Sequence, residues 1–156
     1  MSGLNDQPRQ IWHVGFIVDY LEEAMEELTA PLGLTWGEPH EVDQHMGTPT
    51  EATVHIKTRV VFSQDLPLAI ELIEPTPGTP NVRRGSSAFH HLGYWSDDLE
   101  SEEQRLGELG LSCIYFRQVD DLRRIMLTEG PMDIILEATN TLSNRPGLEQ
   151  FYPKNA

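Results

Sequence analysis

Short apolar runs with a period of two and longer stretches with a helical period alternate along this chain. Residues 11–18 are apolar and rich in β-branched and aromatic side chains, which is typical of a strand. Residues 20–30 carry apolar side chains at i, i+3, i+4 and i+7, which predicts a helix that Asp19 caps and Pro31 ends. Three further strands are predicted in this half of the chain, at residues 36–41, 52–63 and 68–73.

The same order of elements returns 78 residues later. Its members are a strand (89–95), a helix capped by Asp97 and ending near residue 109, a hairpin (112–118 and 122–127) and a last strand (132–138). Six identities fall in one gapless frame: His13 with His91, Gly15 with Gly93, Asp19 with Asp97, Leu21 with Leu99, Glu22 with Glu100 and Leu28 with Leu106. The sequence therefore predicts an α+β fold of two βαβββ modules related by pseudo-twofold symmetry.

The two modules are expected to share one core, so residues 1–156 are predicted to form a single domain. Module 1 covers about 11–74 and module 2 about 89–140. Residues 75–88 link them, and this linker begins with three prolines and a glycine in six residues. Residues 141–156 are mostly polar and are predicted to form a tail.

Composition and charge limit the kinds of molecule that this protein is expected to bind. The formal net charge of −14 argues against binding to nucleic acid or to an anionic membrane surface, because both need basic patches. No stretch is long and apolar enough to span a bilayer, so a cytoplasmic protein is expected. Cys113 is the only cysteine and lies in an apolar run, which favours a small core residue. The only clustered positive charge suited to phosphates comes from Arg83, Arg84, Arg117, Arg123 and Arg124.

The candidate metal-binding residues lie on the first and last strands of the two modules. Each module offers one histidine on its first strand and one glutamate on its last, and the set is His13, Glu71, His91 and Glu137. Under pseudo-twofold symmetry these four side chains converge near the axis. Imidazole nitrogens and carboxylate oxygens suit a divalent first-row metal ion, and two carboxylates balance its charge. Taken singly, each histidine is as readily a packing residue and each glutamate a solvent-facing one.

Strand alternation separates the other residues near the candidate site. It places Trp12, Phe16 and Val18 toward the core and His13 on the opposite, more open face beside Gly15. His90 falls on the other face from His91 and is not predicted to be a ligand. Three histidines have no partner in the repeat and are expected at the surface or behind the ligands: His40, His45 and His55.

The repeat and its candidate ligands resemble the vicinal oxygen chelate superfamily, which includes glyoxalase I, extradiol dioxygenases and antibiotic-resistance binding proteins. The likeness to methylmalonyl-CoA epimerases is strongest, and it rests on residues 12–15, 70–75, 89–93 and 135–139. It implies a mixed sheet cupped around a metal site and a homodimer. The chain departs from the epimerases at Glu71, where they have glutamine, so its His/Glu/His/Glu set is similar to that of bacterial glyoxalase I.

The chain also differs from the epimerases at the segment that supplies their catalytic base. The Glu-Gln-Gly run that supplies a catalytic carboxylate in the epimerases has no clear counterpart, and the nearest stretch is 43–51. The resemblance implies a divalent ion (Co, Ni, Mn, Zn or Fe) held by His13, Glu71, His91 and Glu137. It also implies an isomerase or epimerase acting on a small molecule with adjacent oxygens, such as a CoA thioester, with Glu137 or Glu71 moving the proton.

Three alternatives remain open from the sequence. One is a glyoxalase I-like lyase, and a second is an Fe(II) extradiol-type dioxygenase, since two histidines and a carboxylate form its ligand set. The third is a non-catalytic binding protein of the same fold. Its ligand cavity would be lined by five aromatic side chains that otherwise belong to the core: Trp12, Trp36, Phe89, Tyr94 and Trp95.

Overall fold

The computed structural model describes residues 7–154, and they form eight strands and two α-helices in the predicted order. Module 1 consists of β1 (Ile11–Ile17), α1 (Leu21–Leu32), β2 (His40–Gly47), β3 (Thr53–Phe62) and β4 (Ala69–Ile73). Module 2 consists of β5 (Phe89–Ser96), α2 (Leu99–Glu108), β6 (Cys113–Val119), β7 (Leu122–Glu129) and β8 (Ile135–Asn140). The α+β class and the two βαβββ modules are confirmed.

All eight strands belong to one curved sheet that closes on itself in the order β1-β4-β3-β2-β6-β7-β8-β5. In each module the first strand runs parallel to the last, as β1 does to β4 and β5 to β8. The modules meet along two antiparallel seams: β1 with β5, and β2 with β6 through Gly47 and Phe116. The first seam brings the two first strands, and hence the two candidate histidines, side by side.

The helices cover the outer face of the sheet. α1 packs on Val61 and Leu72 through Leu21, and Phe16 and Val18 join this cluster as alternation predicts. α2 packs on Tyr94 and Met126 through Leu99 and Leu106. None of the helices within residues 7–154 is long and apolar enough to cross a membrane.

Trp12 is buried as predicted, but the prediction is wrong about the side chains that it packs with and about an open surface at His13. A register shift between Ile11 and His13 interrupts the pairing of β1 with β5. Trp12 therefore packs in the cluster of Ile17, stacked on Trp95 with ring centroids 4.8 Å apart, and not with Phe16. His13 is fully buried beside the Trp12 ring, so its face is not an open one.

The helix caps also differ from the prediction. α1 begins after Tyr20, whose side chain caps nothing, and the backbone N–H of Leu21 donates to the carboxylate of Glu74, the residue that follows β4. The helix continues through Pro31 and ends at Gly33, which has a left-handed φ of 66°. In α2 the cap is Asp98, which accepts from the backbone N–H of Ser101.

Two peripheral segments differ from their predictions as well. The strand expected at 36–41 begins only at His40, and Trp36 forms a single bridge to Ser63. The segment after β8 is not a polar tail, because Leu148 and Phe151 are buried in the cluster around Trp12. The indole N–H of Trp95 donates to the Phe151 carbonyl at 2.9 Å.

Candidate metal centre

The structure brings all four predicted ligands together between β1, β4, β5 and β8. One ligand atom from each of His13, Glu71, His91 and Glu137 lies within 4.8 Å of the other three. Both histidines are fully buried, while Glu71 and Glu137 keep 11% and 13% of their side chains exposed. The imidazoles therefore form the inner side of the group, and the carboxylates form its accessible side.

Strand register explains why these residues meet. Gly15 on β1 stands opposite His91 on β5 and opposite Glu71 on β4. By the same pairing, Gly93 on β5 stands opposite His13 on β1 and Glu137 on β8. Each glycine of the repeat therefore lies between a histidine and a glutamate on its two neighbouring strands.

Each glycine makes room for a histidine of the other module. A Cβ atom at Gly15 would lie 2.0 Å from Cε1 of His91, and one at Gly93 would lie 1.8 Å from Cε1 of His13. Both distances are far inside van der Waals contact, so any side chain would displace the imidazole. The His-x-Gly spacing that both repeats share thus has a steric cause.

The closest contacts cross between the modules. Nε2 of His13 lies 3.0 Å from Oε2 of Glu137, and Nε2 of His91 lies 3.1 Å from Oε1 of Glu71. The two Nε2 atoms are 3.0 Å apart. Within a module the pair is wider, at 3.6 Å for His13 and Glu71 and 3.8 Å for His91 and Glu137. Neither module forms this group by itself.

The electrostatics of the group fit a bound cation. Burial lowers the pKa of His13, which favours the neutral imidazole that a metal needs. Burial also acts to lower the pKa of His91, but the carboxylates of Glu137 and Glu71 outweigh it and raise that pKa. Despite its burial, Glu137 has a lowered pKa because His91 and His13 lie beside it. Two carboxylates facing two Nε2 atoms thus favour positive charge at their centre, and the donor set suits a divalent first-row ion.

His90, which is not one of the four converging residues, lies directly behind His91. Its Nε2 is 2.7 Å from the carbonyl oxygen of Pro80, so this nitrogen carries a proton and donates. Its Nδ1 is 2.9 Å from Nδ1 of His91. Burial and the neighbouring His91 lower the pKa of His90 to about 4, so its Nδ1 is an acceptor at neutral pH. His91 therefore donates through Nδ1, and its Nε2 is the nitrogen that faces the centre and would hold a metal ion.

A cavity of about 680 Å³ opens above the centre, with Glu71 and Glu137 in its wall. Three arginines also line it: Arg117 from β6, Arg124 from β7 and Arg145 from the segment after β8. None of the five aromatic residues considered as a ligand lining borders this cavity, and Phe62 does so instead.

The predicted arginine cluster is divided in the structure. Arg117 and Arg124 line the cavity, whereas Arg84 pairs with Glu129 and Arg123 pairs with Glu103. Arg83 is exposed elsewhere. Sequence reasoning missed Arg145, which stood in a turn-forming Asn-Arg-Pro-Gly run of the supposed tail.

The stretch nearest to the missing Glu-Gln-Gly run, residues 43–51, covers the end of β2 and the turn after it, and it places an amide but no carboxylate in the cavity wall. Gln44 lines the cavity and accepts a hydrogen bond from Arg117. Asp43 points away and bonds to His55, which is stacked on His45 at the surface. His40 borders the cavity at its exposed rim. Between residues 41 and 47, no carboxylate lines the cavity.

Sequence comparison assigns the class of protein. Residues 10–126 match the profile of the glyoxalase/bleomycin resistance protein/dioxygenase superfamily, and the chain belongs to that family. This confirms the resemblance seen in the sequence. A search of curated protein sequences gives no significant match.

Solved structures agree on the fold. A hypothetical protein from Bacillus halodurans C-125 superposes with a TM-score of 0.63 at 15% identity, covering 89% of this chain and 99% of that one. A variant of the Streptomyces coelicolor methylmalonyl-CoA epimerase, in complex with 2-nitronate-propionyl-CoA, gives 0.59 at 14% identity over 88% and 100%. The methylmalonyl-CoA epimerase from Mycobacterium tuberculosis gives 0.55 at 19% identity over 83% and 86%. At these identities the likeness is one of fold.

Proposed function

We propose that this protein is a metal-dependent isomerase or epimerase that moves a proton on a carbon next to a chelated carbonyl group. The observation that supports the proposal is the convergence of two imidazoles and two carboxylates beside one cavity. Similarity of fold to methylmalonyl-CoA epimerases adds to it. The substrate is a small molecule with adjacent oxygens, and a CoA thioester is the first candidate.

The exposure of the four side chains supports a separate role for the histidines and for the glutamates. His13 and His91 are closed off and act as neutral donors that hold the ion. The ion, when bound, supplies Lewis-acid stabilisation of negative charge on a substrate oxygen. Glu137 borders the cavity and its lowered pKa keeps it ionised at neutral pH, so it can accept a proton from the substrate carbon. Glu71 occupies the symmetry-related position, and in its protonated form it would give its proton to the opposite face of that carbon, while Glu137 keeps the proton taken from the substrate.

Metal content tests the first part of the proposal. Protein purified without chelator should carry about one divalent ion per chain by elemental analysis, and His91→Ala should lose it. His45→Ala, at the exposed stack on His55, is the matched control and should keep the ion. A wild-type protein that takes up no Co, Ni, Mn, Zn or Fe at micromolar concentration would contradict the four-ligand centre.

Proton exchange tests the second part. In deuterated water the metal-loaded protein should exchange the α-proton of methylmalonyl-CoA. Glu137→Gln keeps the shape and an oxygen ligand but removes the base, so exchange should fall by about 10²–10⁴-fold, more than metal binding falls. Glu71→Gln tests the symmetry-related carboxylate in the same assay. Full exchange in the Glu137→Gln variant would move the role to Glu71.

The same assays separate the alternatives. Turnover of the hemithioacetal of methylglyoxal and glutathione would identify a lyase of the glyoxalase I type. Oxygen consumption by the Fe(II)-loaded protein with a catechol would identify a dioxygenase. Tight binding of an aromatic ligand without turnover of any carbonyl substrate would identify a binding protein.

A further inference from the structure

Three arginines at the cavity have no acidic partner among residues 7–154, and this is unusual in so acidic a chain. The sequence has 25 acidic residues against 11 lysines and arginines. Five other arginines each pair with a carboxylate: Arg9, Arg59, Arg84, Arg105 and Arg123. By contrast, no carboxylate within residues 7–154 lies within ion-pair distance of Arg117, Arg124 or Arg145.

The surroundings hold these three guanidinium groups without neutralising them. Arg117 donates to the neutral amide of Gln44. Arg145 lies over the rings of Trp12 and Phe62, at 5.4 Å and 5.5 Å from their centroids. Nε of Arg124 is buried and has no hydrogen-bond partner in the part of the chain that is described. Aromatic stacking and an amide fix the orientation of an arginine while leaving its donors available to a ligand.

The three guanidinium groups concentrate positive charge in one region of the cavity, next to the candidate metal centre. Burial and the charges of Arg124 and Arg145 lower the pKa of Arg117. Arg117, Arg124 and Arg145 line the same cavity as Glu71 and Glu137. Among the described residues that line the cavity, Glu71 and Glu137 would be balanced by a divalent ion, and only Glu38 at the exposed rim then opposes the positive charge of the arginines.

We propose that Arg117, Arg124 and Arg145 form a subsite for an anionic group of the substrate, a carboxylate or a phosphate ester. This inference rests on the proposed function, because the substrate is the molecule whose adjacent oxygens reach the neighbouring centre. Planar guanidinium groups bind such anions through paired hydrogen bonds, and the partly closed cavity strengthens that attraction. The substrate therefore carries a negative charge in addition to its chelating oxygens.

Arginine side-chain NMR tests the subsite directly. ¹⁵N-labelled, zinc-loaded protein is titrated with malonate and, separately, with inorganic phosphate, at constant ionic strength adjusted with sodium chloride. The Nε–Hε signals of Arg117, Arg124 and Arg145 should shift and saturate, while that of Arg83 should not. Tighter binding of malonate identifies a carboxylate as the natural group, and tighter binding of phosphate identifies a phosphate ester.

Variants of the arginines show whether the anion binds to the guanidinium groups or to the metal ion. Arg145→Gln should weaken binding by about 10–100-fold, as expected for loss of a charged hydrogen-bonding group. Arg145→Lys should recover part of the affinity, and Arg83→Gln should change nothing. Absence of a saturable shift in the wild type, or unchanged affinity in Arg145→Gln, overturns the subsite.

The outcome is independent of the test of the proposed function. Malonate or phosphate that binds at the arginines of a protein without proton exchange contradicts the catalytic proposal and leaves the subsite. Proton exchange in a protein whose arginines bind neither anion contradicts the subsite alone.

Discussion

Single glycines decide whether the two histidines can face each other. Gly15→Ala and Gly93→Ala should each displace the opposite imidazole, because the new Cβ would lie 2.0 Å or 1.8 Å from a ring carbon. We expect metal affinity to fall by at least about 10–100-fold, the range found when a group that orients a metal-bound histidine is changed. Isothermal titration with zinc or cobalt measures this.

Gly107→Ala is the matched control for these two variants. Gly107 lies in α2 with open space around its missing Cβ, so alanine should leave metal binding unchanged and raise stability by about 1 kcal/mol. Equal metal affinity in Gly15→Ala and Gly107→Ala would contradict the steric account of the centre.

The hydrogen bonds that link the Pro80 carbonyl, His90 and His91 lead to a second prediction about a single residue. His90→Phe fills the buried site but removes both nitrogens, so Nδ1 of His91 loses its acceptor and the Pro80 carbonyl its donor. Metal affinity should fall by about 10–100-fold while circular dichroism stays native. His45→Phe, at an exposed position, should bind metal as the wild type does. Unchanged affinity in His90→Phe would show that the chain does not orient His91.

At the scale of the element, helix α2 is anchored by a buried acid in addition to its apolar stripe. Glu102 is 3% exposed and accepts hydrogen bonds from the Tyr94 hydroxyl on β5 and from Arg9 and Arg105. Burial acts to raise the pKa of Glu102, but the hydrogen bonds from Arg105, Arg9 and Tyr94 outweigh it and lower that pKa to about 2.

This lowered pKa predicts a loss of stability in acid. The ionised Glu102 stabilises the fold fully above the ordinary pKa of 4.5, and this contribution disappears as pH falls toward 2. The shift corresponds to about 3 kcal/mol. Urea unfolding of wild type and Glu102→Gln should therefore show the largest difference at pH 7 and almost none near pH 2. A difference that is constant with pH would contradict the role of the charge.

At the scale of the whole molecule, the segment after β8 completes the core that lies under the centre. Phe151 is 2% exposed in the cluster that contains Trp12 and Trp95, and Trp12 touches His13. Phe151→Ala should lower the free energy of unfolding by about 3–5 kcal/mol, as for other buried phenylalanines. Leu142→Ala, at a residue that is 72% exposed, is the control and should change it little. Chemical denaturation measures both, and equal stabilities would mean that this segment is not part of the core.

The repeat determined much of this protein from sequence alone. Period-two and period-3.6 patterns are local, so they located ten elements in the correct order. The 78-residue offset paired His13 with His91, and the equivalent last strands of the two modules paired Glu71 with Glu137. Symmetry then predicted that the four side chains meet, which the structure bears out geometrically.

Only the tertiary structure decided how these residues face each other and what surrounds them. The cross-module contacts, the position of Trp12 and the chain from Pro80 through His90 depend on strand register and on one bulge between distant strands. Arg145 comes from a segment outside the repeat, and no pattern along the chain shows that it folds back over Trp12. Such contacts are set by long-range pairing and packing, which neighbouring residues in the sequence do not encode.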